Sequence, residues 1–376
     1  MKLFDVYPVF DINLVKGNGC FVYDAKGTEY LDFYGGHAVI SIGHTHPHYV
    51  KRIEEQLQAL SFYSNSVKLD IQQELAQKLG QLSGYDNYNI FLVNSGAEAI
   101  ENALKLASFH NNKKKTIAFH GAFHGRTSGA VAITDNPKIK AKVNDDSHVI
   151  FVELNNEQAL RDAFSNKEIC AVIVESIQGV NGIYEPNADF FSLIQQLCYE
   201  HNAVFIADEI QSGFGRSGKF FAHQFANVQP DIITMAKGMG NGFPIGGILI
   251  HPKFEAKYGL LGTTFGGSPL ACAASLAVLE VMEQENLIEN ANKIGQYILE
   301  QLQTIPQIKA IRGKGLMLGI EFDFPIKDLR NRLLNEQHIF VGNSNNANTI
   351  RLLPSLTIGK NEVDSLIVAL KQCLNS

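Results

Sequence analysis

Short apolar runs separated by helical stretches fill the middle of the chain. The runs are rich in β-branched residues and mostly lack polar alternation, which is typical of strands buried on both faces of a sheet. They lie at 87–93, 116–119, 148–154, 169–174, 203–207, 231–236 and 245–250. Helical stretches at 97–109 and 190–201 lie between them. The pattern therefore predicts an α/β fold with a mostly parallel seven-stranded sheet flanked by helices.

The pattern changes on both sides of this region. A glycine-rich stretch near the start predicts a hairpin that turns at Lys26 and Gly27, and long helices are expected at 269–284 and 286–303. Shorter strands and helices follow to the end, which is typical of a smaller α+β unit. The expected parts are an N-terminal segment packed on the small domain (1–50), a large α/β domain (51–285) and a small α+β domain (286–376).

Composition argues against several classes of protein. The 376 residues are 45% hydrophobic and 19% charged, which is the balance of a folded globular protein. The net charge of −6 does not indicate a nucleic-acid-binding surface, and no apolar run approaches the ~20 residues that span a membrane. Asp5 and Asp11 interrupt the apolar N-terminus, so no secretory signal is expected. Five scattered cysteines without a CxxC pair favour a reducing cytoplasm over a disulfide framework or a zinc site.

Three polar groups follow the carboxyl ends of predicted strands, where ligands bind in open α/β sheets. The small residues at 95–97 open a helix and let backbone N–H groups approach an anion. Asp208 follows one buried run, and Lys237 follows another beside a glycine-rich loop, where desolvation would activate its amine. Plainer explanations stay open: a capping box with Glu98, a turn cap or metal-binding pair with Glu209, and a solvated lysine.

Together the three groups match the needs of pyridoxal phosphate. This cofactor requires a cradle for its phosphate, an acid facing its pyridine nitrogen and a lysine amine for a Schiff base. One edge of the predicted sheet would supply all three. Residues far apart in sequence would therefore meet around one ring.

Two rival motifs fit less well. The stretch 213–218 matches the GxGxxG pattern of dinucleotide sites and has Asp231 downstream, but residues 208–212 separate it from the preceding strand. His44, His46 and His48 have a spacing that suits metal binding, yet the proline between them and the absence of a nearby acid favour a loop. No metal is therefore expected.

Several long motifs resemble those of the class III, or ornithine-type, aminotransferases. They are NSGAEAIENALKLA (94–107), FHGAFHGRT (119–127), ADEIQSGFGRSGKFFA (207–222), ITMAKGMGNGFPIGG (233–247), GTTFGGSPLACAAS (262–275), RGKGLMLGIEF (312–322) and IRLLPSL (350–356). The similarity covers essentially the whole chain, in order. GGHAVISIGHTHP (35–47), FYSNS (62–66) and FHGRT (123–127) look most like the acetylornithine or succinylornithine members of the class.

The resemblance implies a fold-type-I enzyme that uses pyridoxal 5′-phosphate, and a homodimer whose subunits share the active sites. Lys237 would bind the cofactor covalently and move the proton, Asp208 would pair with the ring nitrogen, and Gln211 would reach the ring hydroxyl. Arg126 and Arg351 would bind substrate carboxylates. The full set implied in cofactor binding is Ser95, Gly96, Ala97, Phe123 (stacked on the ring), Asp208, Gln211, Lys237 and, from the neighbouring subunit, Thr264.

One segment departs from the family pattern. Relatives usually read E-P-[IV]-Q-G-E-G-G where this chain has ESIQGVNG at 175–182, so Val180 replaces a second glutamate. In many relatives that glutamate pairs with the arginine that matches Arg351. Because a buried, unpaired guanidinium is costly, we expect Arg351 to stay solvated or to hold an anion when no substrate is bound.

The resemblance implies transfer of the δ-amino group of N-acylornithine to 2-oxoglutarate, giving N-acylglutamate 5-semialdehyde and glutamate, in cytoplasmic arginine biosynthesis. N-acetylornithine is the usual donor of the family, and N-succinylornithine or another ω-amino acid stays an alternative. A nicotinamide-dependent oxidoreductase using 213–218 and a catalytically silent homologue are the other two hypotheses. The intact Lys237, Asp208 and Arg126 argue against the silent homologue. No nucleic-acid or membrane partner is expected.

Overall fold

Three β-sheets with helices packed around them make up the computed structural model, which describes residues 1–165 and 168–375. The strands are β1 (Leu14–Asn18), β2 (Phe21–Asp24), β3 (Glu29–Asp32), β4 (Asn89–Val93), β5 (Lys115–Phe119), β6 (Val149–Val152), β7 (Ile169–Glu175), β8 (Val204–Asp208), β9 (Ile232–Met235), β10 (Gly246–Ile250), β11 (Ala310–Lys314), β12 (Met317–Glu321), β13 (Ile339–Phe340) and β14 (Thr349–Leu352). The helices are α1 (Gly35–Ala38), α2 (Pro47–Ala59), α3 (Asp70–Ser83), α4 (Gly96–Asn111), α5 (Ser128–Ala132), α6 (Glu157–Phe164), α7 (Ala188–Glu200), α8 (Pro269–Gln284), α9 (Leu287–Leu302), α10 (Lys327–Asn335) and α11 (Lys360–Asn375). Single turns of 3-10 helix lie at Pro137–Ile139, Ala222–Phe225 and Lys237–Met239.

All seven predicted apolar runs contribute strands to one seven-stranded sheet, in the order β4-β10-β9-β8-β7-β5-β6. The sheet is parallel except for β10, which runs antiparallel to both β4 and β9. Alternate residues of β7 face opposite layers: Ile173 packs in the cluster that contains α4, and Val172 in the cluster that contains α7. Both faces are therefore covered, and the predicted α/β fold with a mostly parallel sheet is confirmed.

Two smaller sheets lie outside this layer. One has the order β1-β2-β3-β13, so the N-terminal hairpin pairs through β3 with a strand from the C-terminal part of the chain. The other has the order β11-β12-β14. Helix α8 is buried on nearly every side and packs on α2 and α3. The division into 1–50, 51–285 and 286–376 stays a prediction.

The GxGxxG stretch at 213–218 has a structural role instead of opening a helix. The chain forms turns and bends from 210 to 221, and Arg216 in their middle is only 2% exposed. Its guanidinium donates to the carbonyl oxygens of Ile40 (3.1 Å), Leu316 (3.3 Å) and Pro354. Burial lowers the pKa of Arg216 to about 9. This stretch therefore lacks the strand–turn–helix context that a dinucleotide site requires, and it ties early and late parts of the chain together.

The remaining sequence alternatives can be placed in the structure. Each histidine of the GHTHPH motif contacts its own acid: His44 contacts Asp32, whereas His46 and His48 contact two separate glutamates near the end of α8. Among residues 1–165 and 168–375, no group of three or more potential ligands is arranged to hold a metal. Within the same residues, no helix combines the length and apolarity needed to cross a membrane. All five cysteines are buried free thiols.

Candidate active site

The carboxyl edge of the large sheet gathers the predicted site residues. Asp208 ends β8 and is in register with Glu175, the last residue of β7. Lys237 follows β9 by two residues, and the segment 95–97 follows β4. Strand β10 lies between β4 and β9, and Gly246 is its first residue. A Cβ on Gly246 would approach the carbonyl oxygens of residues 95 and 235 to within 2.8 and 2.9 Å. Only glycine therefore lets the helix N-terminus and the lysine lie so close together.

A cavity of about 630 Å³, counting its open mouth, lies at this edge. Its size is within the range of small-molecule sites. It brings together predicted residues from four separate segments, and the remaining lining comes from their neighbours in those segments and from residues 175–180. The lining residues are Gly96, Ala97, Phe123, His124, Gly125, Glu175, Ile177, Val180, Asp208, Ile210, Gln211, Ser212 and Lys237.

The carboxylate of Asp208 is fixed by three donors. It accepts hydrogen bonds from the backbone N–H of Ile210 (3.0 Å), the hydroxyl of Thr234 (3.1 Å) and Nδ1 of His124 (2.6 Å). His124 is 3% exposed, and its Nε2 is buried without a hydrogen-bond partner among the described residues. The sequence analysis assigned His124 no role, although its position in the FHGRT motif was the available signal. Glu209, by contrast, binds His223 and Ser212, so the two adjacent acids do not form a metal-binding pair.

Lys237 has both a strained backbone and a perturbed amine. Its φ of 46° lies in the left-handed region, which non-glycine residues rarely occupy outside functional sites. Burial lowers the pKa of the Lys237 amine, and the negative charges of Asp208 and Glu175 act against this shift. A larger fraction of the amine is therefore neutral near pH 7 than for a solvated lysine. The neutral amine is the form that attacks carbonyl carbon and accepts protons.

Glu175 is a second buried acid that the sequence analysis did not single out. Its carboxylate accepts from the backbone N–H of Phe123 (2.9 Å) and of Gly179 (3.1 Å), so it joins the loops on both sides of the cavity. Burial raises the pKa of Glu175 to about 7. The position was recognisable in principle, because Glu175 ends β7 as Asp208 ends β8.

The N-terminus of α4 is built as an anion cradle of small residues. Ser95 caps the helix, with its hydroxyl accepting from the N–H of Glu98. The expected capping box is incomplete, since the carboxylate of Glu98 accepts from Asn94 instead of from the N–H of Ser95. A Cβ on Gly96 would lie 3.0 Å from Ile210, and one on Gly125 would lie 3.0 Å from Ala97. The sixteen-residue helix directs its free N–H groups and positive dipole end toward the cavity.

The residue predicted to stack on the ring lines the cavity, whereas Arg126 and Thr264 lie outside its lining. Phe123 is partly buried and lines the cavity. Arg126 is exposed three residues later and has no hydrogen bond or ion pair to any described residue. Thr264 is also exposed and does not line the cavity of its own chain. The positions of Arg126 and Thr264 leave their guanidinium and hydroxyl available to a substrate or a second subunit.

Arg351 is buried, so the part of the expectation in which it stays solvated is wrong, whereas the alternative that it holds an anion stays a prediction. The residue is 3% exposed, and its Nε donates to the carbonyl oxygen of Asn343 (2.6 Å) while Nη1 donates to Oε1 of Gln211 (3.4 Å). Within the described chain no carboxylate forms an ion pair with it, and burial lowers its pKa. The guanidinium on β14 folds back onto neutral oxygen acceptors, which compensate in part for the lost hydration. Gln211 also donates to the carbonyl oxygen of His37 (3.1 Å), so a contact with a cofactor hydroxyl requires one of these bonds to exchange.

These residues fit pyridoxal phosphate. The N-terminus of α4 would hold the phosphate, Asp208 would face the ring nitrogen, and Lys237 would bind the aldehyde carbon. The unpartnered Nε2 of His124 shows that a polar group is still needed at the cavity wall. When bound, the cofactor supplies an electron-accepting ring that stabilises negative charge on the carbon next to the transferred amino group.

Sequence comparisons agree with this geometry. The family model described as "Aminotransferase class-III" matches residues 5–374. The chain is 40% identical to the acetylornithine aminotransferase of Archaeoglobus fulgidus over 372 residues, which are 97% of this chain and 96% of that protein. It is 39% identical to the acetylornithine aminotransferase of Bacillus subtilis, over 99% of this chain and 97% of that protein.

Solved structures give the same result. The ornithine aminotransferase of Toxoplasma gondii superposes with a TM-score of 0.92 at 28% identity, covering 99% of this chain and 92% of that chain. A second structure of that enzyme, with a TM-score of 0.89 at 27% identity over 98% of this chain and 92% of that one, has partial occupancy of pyridoxal phosphate at its active site. The acetylornithine aminotransferase of Elizabethkingia anophelis has a TM-score of 0.85 at 31% identity, over 99% of this chain and 96% of that one. Shared sequence along nearly the whole chain and a cavity that fits the cofactor place this protein among the class III aminotransferases, the fold-type-I enzymes that depend on pyridoxal phosphate.

Proposed function

We propose that this aminotransferase moves the δ-amino group of an N-acylornithine to 2-oxoglutarate, with N-acetylornithine as the preferred donor. The observation that carries the proposal is the similarity of nearly the whole chain to acetylornithine aminotransferases at about 40% identity. The cavity supports it, because an activated lysine and a fixed acid line it and the charge of Arg351 acts on that lysine. This reaction would belong to arginine biosynthesis.

In this proposal each residue has a defined task. Nζ of Lys237 would take the proton from the carbon that carries the transferred amino group, and the bound cofactor would accept the electrons that this proton leaves behind. Asp208, oriented by His124, would hold the ring nitrogen. Arg126 binds the carboxylate of the acylated donor, and Arg351 binds a carboxylate of 2-oxoglutarate or glutamate. The apolar ring of Phe123 excludes water from the reacting atoms.

We further propose a homodimer with shared active sites. Large apolar side chains are exposed in the segments 57–67 and 258–265 and along the first ten residues. The first two segments lie together, because the rings of Phe62 and Phe265 are 5.2 Å apart. Contiguous exposed apolar surface marks protein–protein interfaces. Thr264 lies within it, which suits the predicted reach of its hydroxyl into the neighbouring subunit. The five free thiols support the expected reducing compartment.

Kinetic comparison of donors tests the proposal. We expect 2-oxoglutarate-dependent glutamate formation with N-acetylornithine, at a kcat/KM at least tenfold above that with N-succinylornithine, which corresponds to about 1.4 kcal/mol. A tenfold preference in the opposite direction would assign the succinyl donor instead. Absence of transfer from both donors, in protein that carries the cofactor, would refute the proposal.

A further inference from the structure

Residues 35–38 form a left-handed turn at the mouth of the active site. Four consecutive residues have positive φ angles: Gly35 (55°), Gly36 (56°), His37 (68°) and Ala38 (64°). Glycine is required at the first position, where a Cβ would lie 2.7 Å from the carbonyl oxygen of Leu353. His37 and Ala38 adopt this conformation against the preference of L-residues, and such strain is concentrated at functional sites.

The turn places His37 between the cavity and solvent. Its carbonyl oxygen accepts from Nε2 of Gln211, which lines the cavity and also contacts Arg351. The side chain is exposed at the mouth. The hydroxyl of Tyr34 lies 2.8 Å from Nε2 of His37, and the two rings pack with centroids 4.6 Å apart. The imidazole is therefore held in place beside the arginine of the substrate pocket.

The charges around this ring are positive. Partial burial of the ring is the main cause that lowers the pKa of His37 to about 4, and the charges of Arg351 on β14, Lys237 and Arg330 on α10 act in the same direction. The ring is therefore neutral at physiological pH. Asp32, the acid nearest to the turn in sequence, is occupied by the N–H groups of Tyr34 and Gly35 and by His44. The acids of the cavity floor, Glu175 and Asp208, are likewise held by hydrogen bonds from the protein.

We propose that His37 selects the charge state of the donor's α-nitrogen, admitting an uncharged amide and disfavouring an ammonium group. The inference rests on the proposed function: with the δ-amine at Lys237, the donor's α-carbon would extend past Gln211 toward the turn that carries His37. An N-acylated nitrogen can hydrogen-bond to a neutral imidazole. The ammonium of free ornithine would meet the positive charges of Arg351 and Arg330 and no unoccupied carboxylate from the residues named above, so it would be repelled.

Two isosteric variants test this role. His37→Asn keeps the site neutral and His37→Asp adds a carboxylate, and both side chains tolerate the left-handed conformation. We expect the ratio of kcat/KM for N-acetylornithine to that for ornithine to be at least tenfold lower in His37→Asp than in His37→Asn. Visible absorption of the cofactor and the half-reaction with glutamate report that both variants are folded. Equal ratios within twofold would overturn the inference.

A second test uses the unmodified holoenzyme. The donor 5-aminopentanoate lacks any α-nitrogen. Comparing it with N-acetylornithine measures the effect of losing the amide, and comparing it with ornithine measures the effect of adding a positive charge. We expect kcat/KM to fall in the order N-acetylornithine, 5-aminopentanoate, ornithine. If ornithine reacts as well as 5-aminopentanoate, selection by charge is wrong, even if N-acylated ornithines still react as amino donors. Failure of every N-acylornithine to react would instead refute the proposed function.

Discussion

At the scale of single residues, the site depends on groups held in unfavourable states. Lys237 combines a left-handed backbone with a desolvated amine, and Glu175 is an acid buried beneath the loops that flank the cavity. Backbone strain of this kind costs about 1–3 kcal/mol at each residue, and desolvation adds to that cost. The surrounding structure must therefore hold these residues in place. Reactivity and stability are therefore opposed at these residues, and both can be measured.

Replacing Lys237 by alanine removes the amine but leaves the cradle and the acid. We expect the Lys237→Ala protein to bind pyridoxal phosphate weakly and to lose ~10³-fold or more of its turnover, because the covalent anchor and the proton carrier are the same atom. Absorption spectroscopy and steady-state assays measure the two effects. The exposed Lys142→Ala serves as control and should retain native turnover. Near-native turnover of the Lys237→Ala protein would contradict the mechanism.

Glu175 predicts a pH dependence of stability. Its pKa is raised by burial from 4.5 to about 7, so the folded state binds the proton more tightly than the unfolded state. The stabilisation is complete below pH 4.5 and is lost as the pH rises through 7. In cofactor-free protein we expect the Tm of the native chain to fall relative to that of Glu175→Gln between pH 5 and 8. The exposed Glu153→Gln gives the baseline, and parallel Tm curves for the native chain and Glu175→Gln would show that Glu175 does not titrate as described.

At the scale of elements, strand ends and helix starts meet along one edge of the sheet. Helix α4 begins directly after β4, so its free N–H groups face the same cavity as the residues after β8 and β9. The antiparallel strand β10 between β4 and β9 begins with two glycines, which permit this close approach. The N-terminus of helix α4 therefore contributes partial positive charge without any basic side chain.

The cap of α4 should therefore affect both stability and phosphate binding. Ser95→Ala is expected to lower the free energy of unfolding by about 1 kcal/mol, through loss of the bond to the N–H of Glu98. It should also raise the Kd for pyridoxal phosphate by roughly tenfold, since a charged hydrogen bond of about 1.5 kcal/mol or more is lost. Ser268→Ala removes the matching cap of α8 and serves as control. A similar Kd for both variants would show that Ser95 is only a cap.

At the scale of the whole molecule, the proposed site would be complete only with a second chain. Lys237 lies inside the cavity of its own chain, whereas Thr264 lies on the exposed apolar surface with Phe62 and Phe265. Thr263, its neighbour, is engaged within the chain by Asn94 and the N–H of Gly266. In the proposed dimer, Thr263 would therefore act within its own chain and Thr264 in the neighbouring site.

Mixed dimers test the shared site. In a dimer of one Lys237→Ala and one Thr264→Ala subunit, one site would contain an intact Lys237 and an intact Thr264 from the other chain. At limiting cofactor we expect the mixture to exceed the mean activity of the two parent proteins. Thr263→Ala in place of Thr264→Ala is the control, because its defect stays within its own chain. If the activity of the mixture equals the mean activity of the two parent proteins, Thr264 does not act in the site of the neighbouring subunit.

The sequence determined the large sheet and most positions along its edge. Periodicity and β-branching depend on adjacent residues, so all seven strands of the sheet were predictable from short windows. The rule that ligands bind at carboxyl ends of strands then selected Asp208, Lys237 and the segment 95–97 before any motif was compared. The family resemblance added Arg126, Phe123 and the remaining contacts, whose roles stay predictions.

Only the tertiary structure decided which buried groups have partners. The bond from His124 to Asp208 joins residues 84 apart in sequence, and the one from Arg351 to Gln211 joins residues 140 apart. The solvation of Arg351 was predicted wrongly for this reason, since a missing glutamate in sequence does not reveal which neutral oxygens replace it. Glu175 and His37 were missed likewise. Desolvation, strain and long-range hydrogen bonds arise when distant segments pack together, so no local pattern of residues records them.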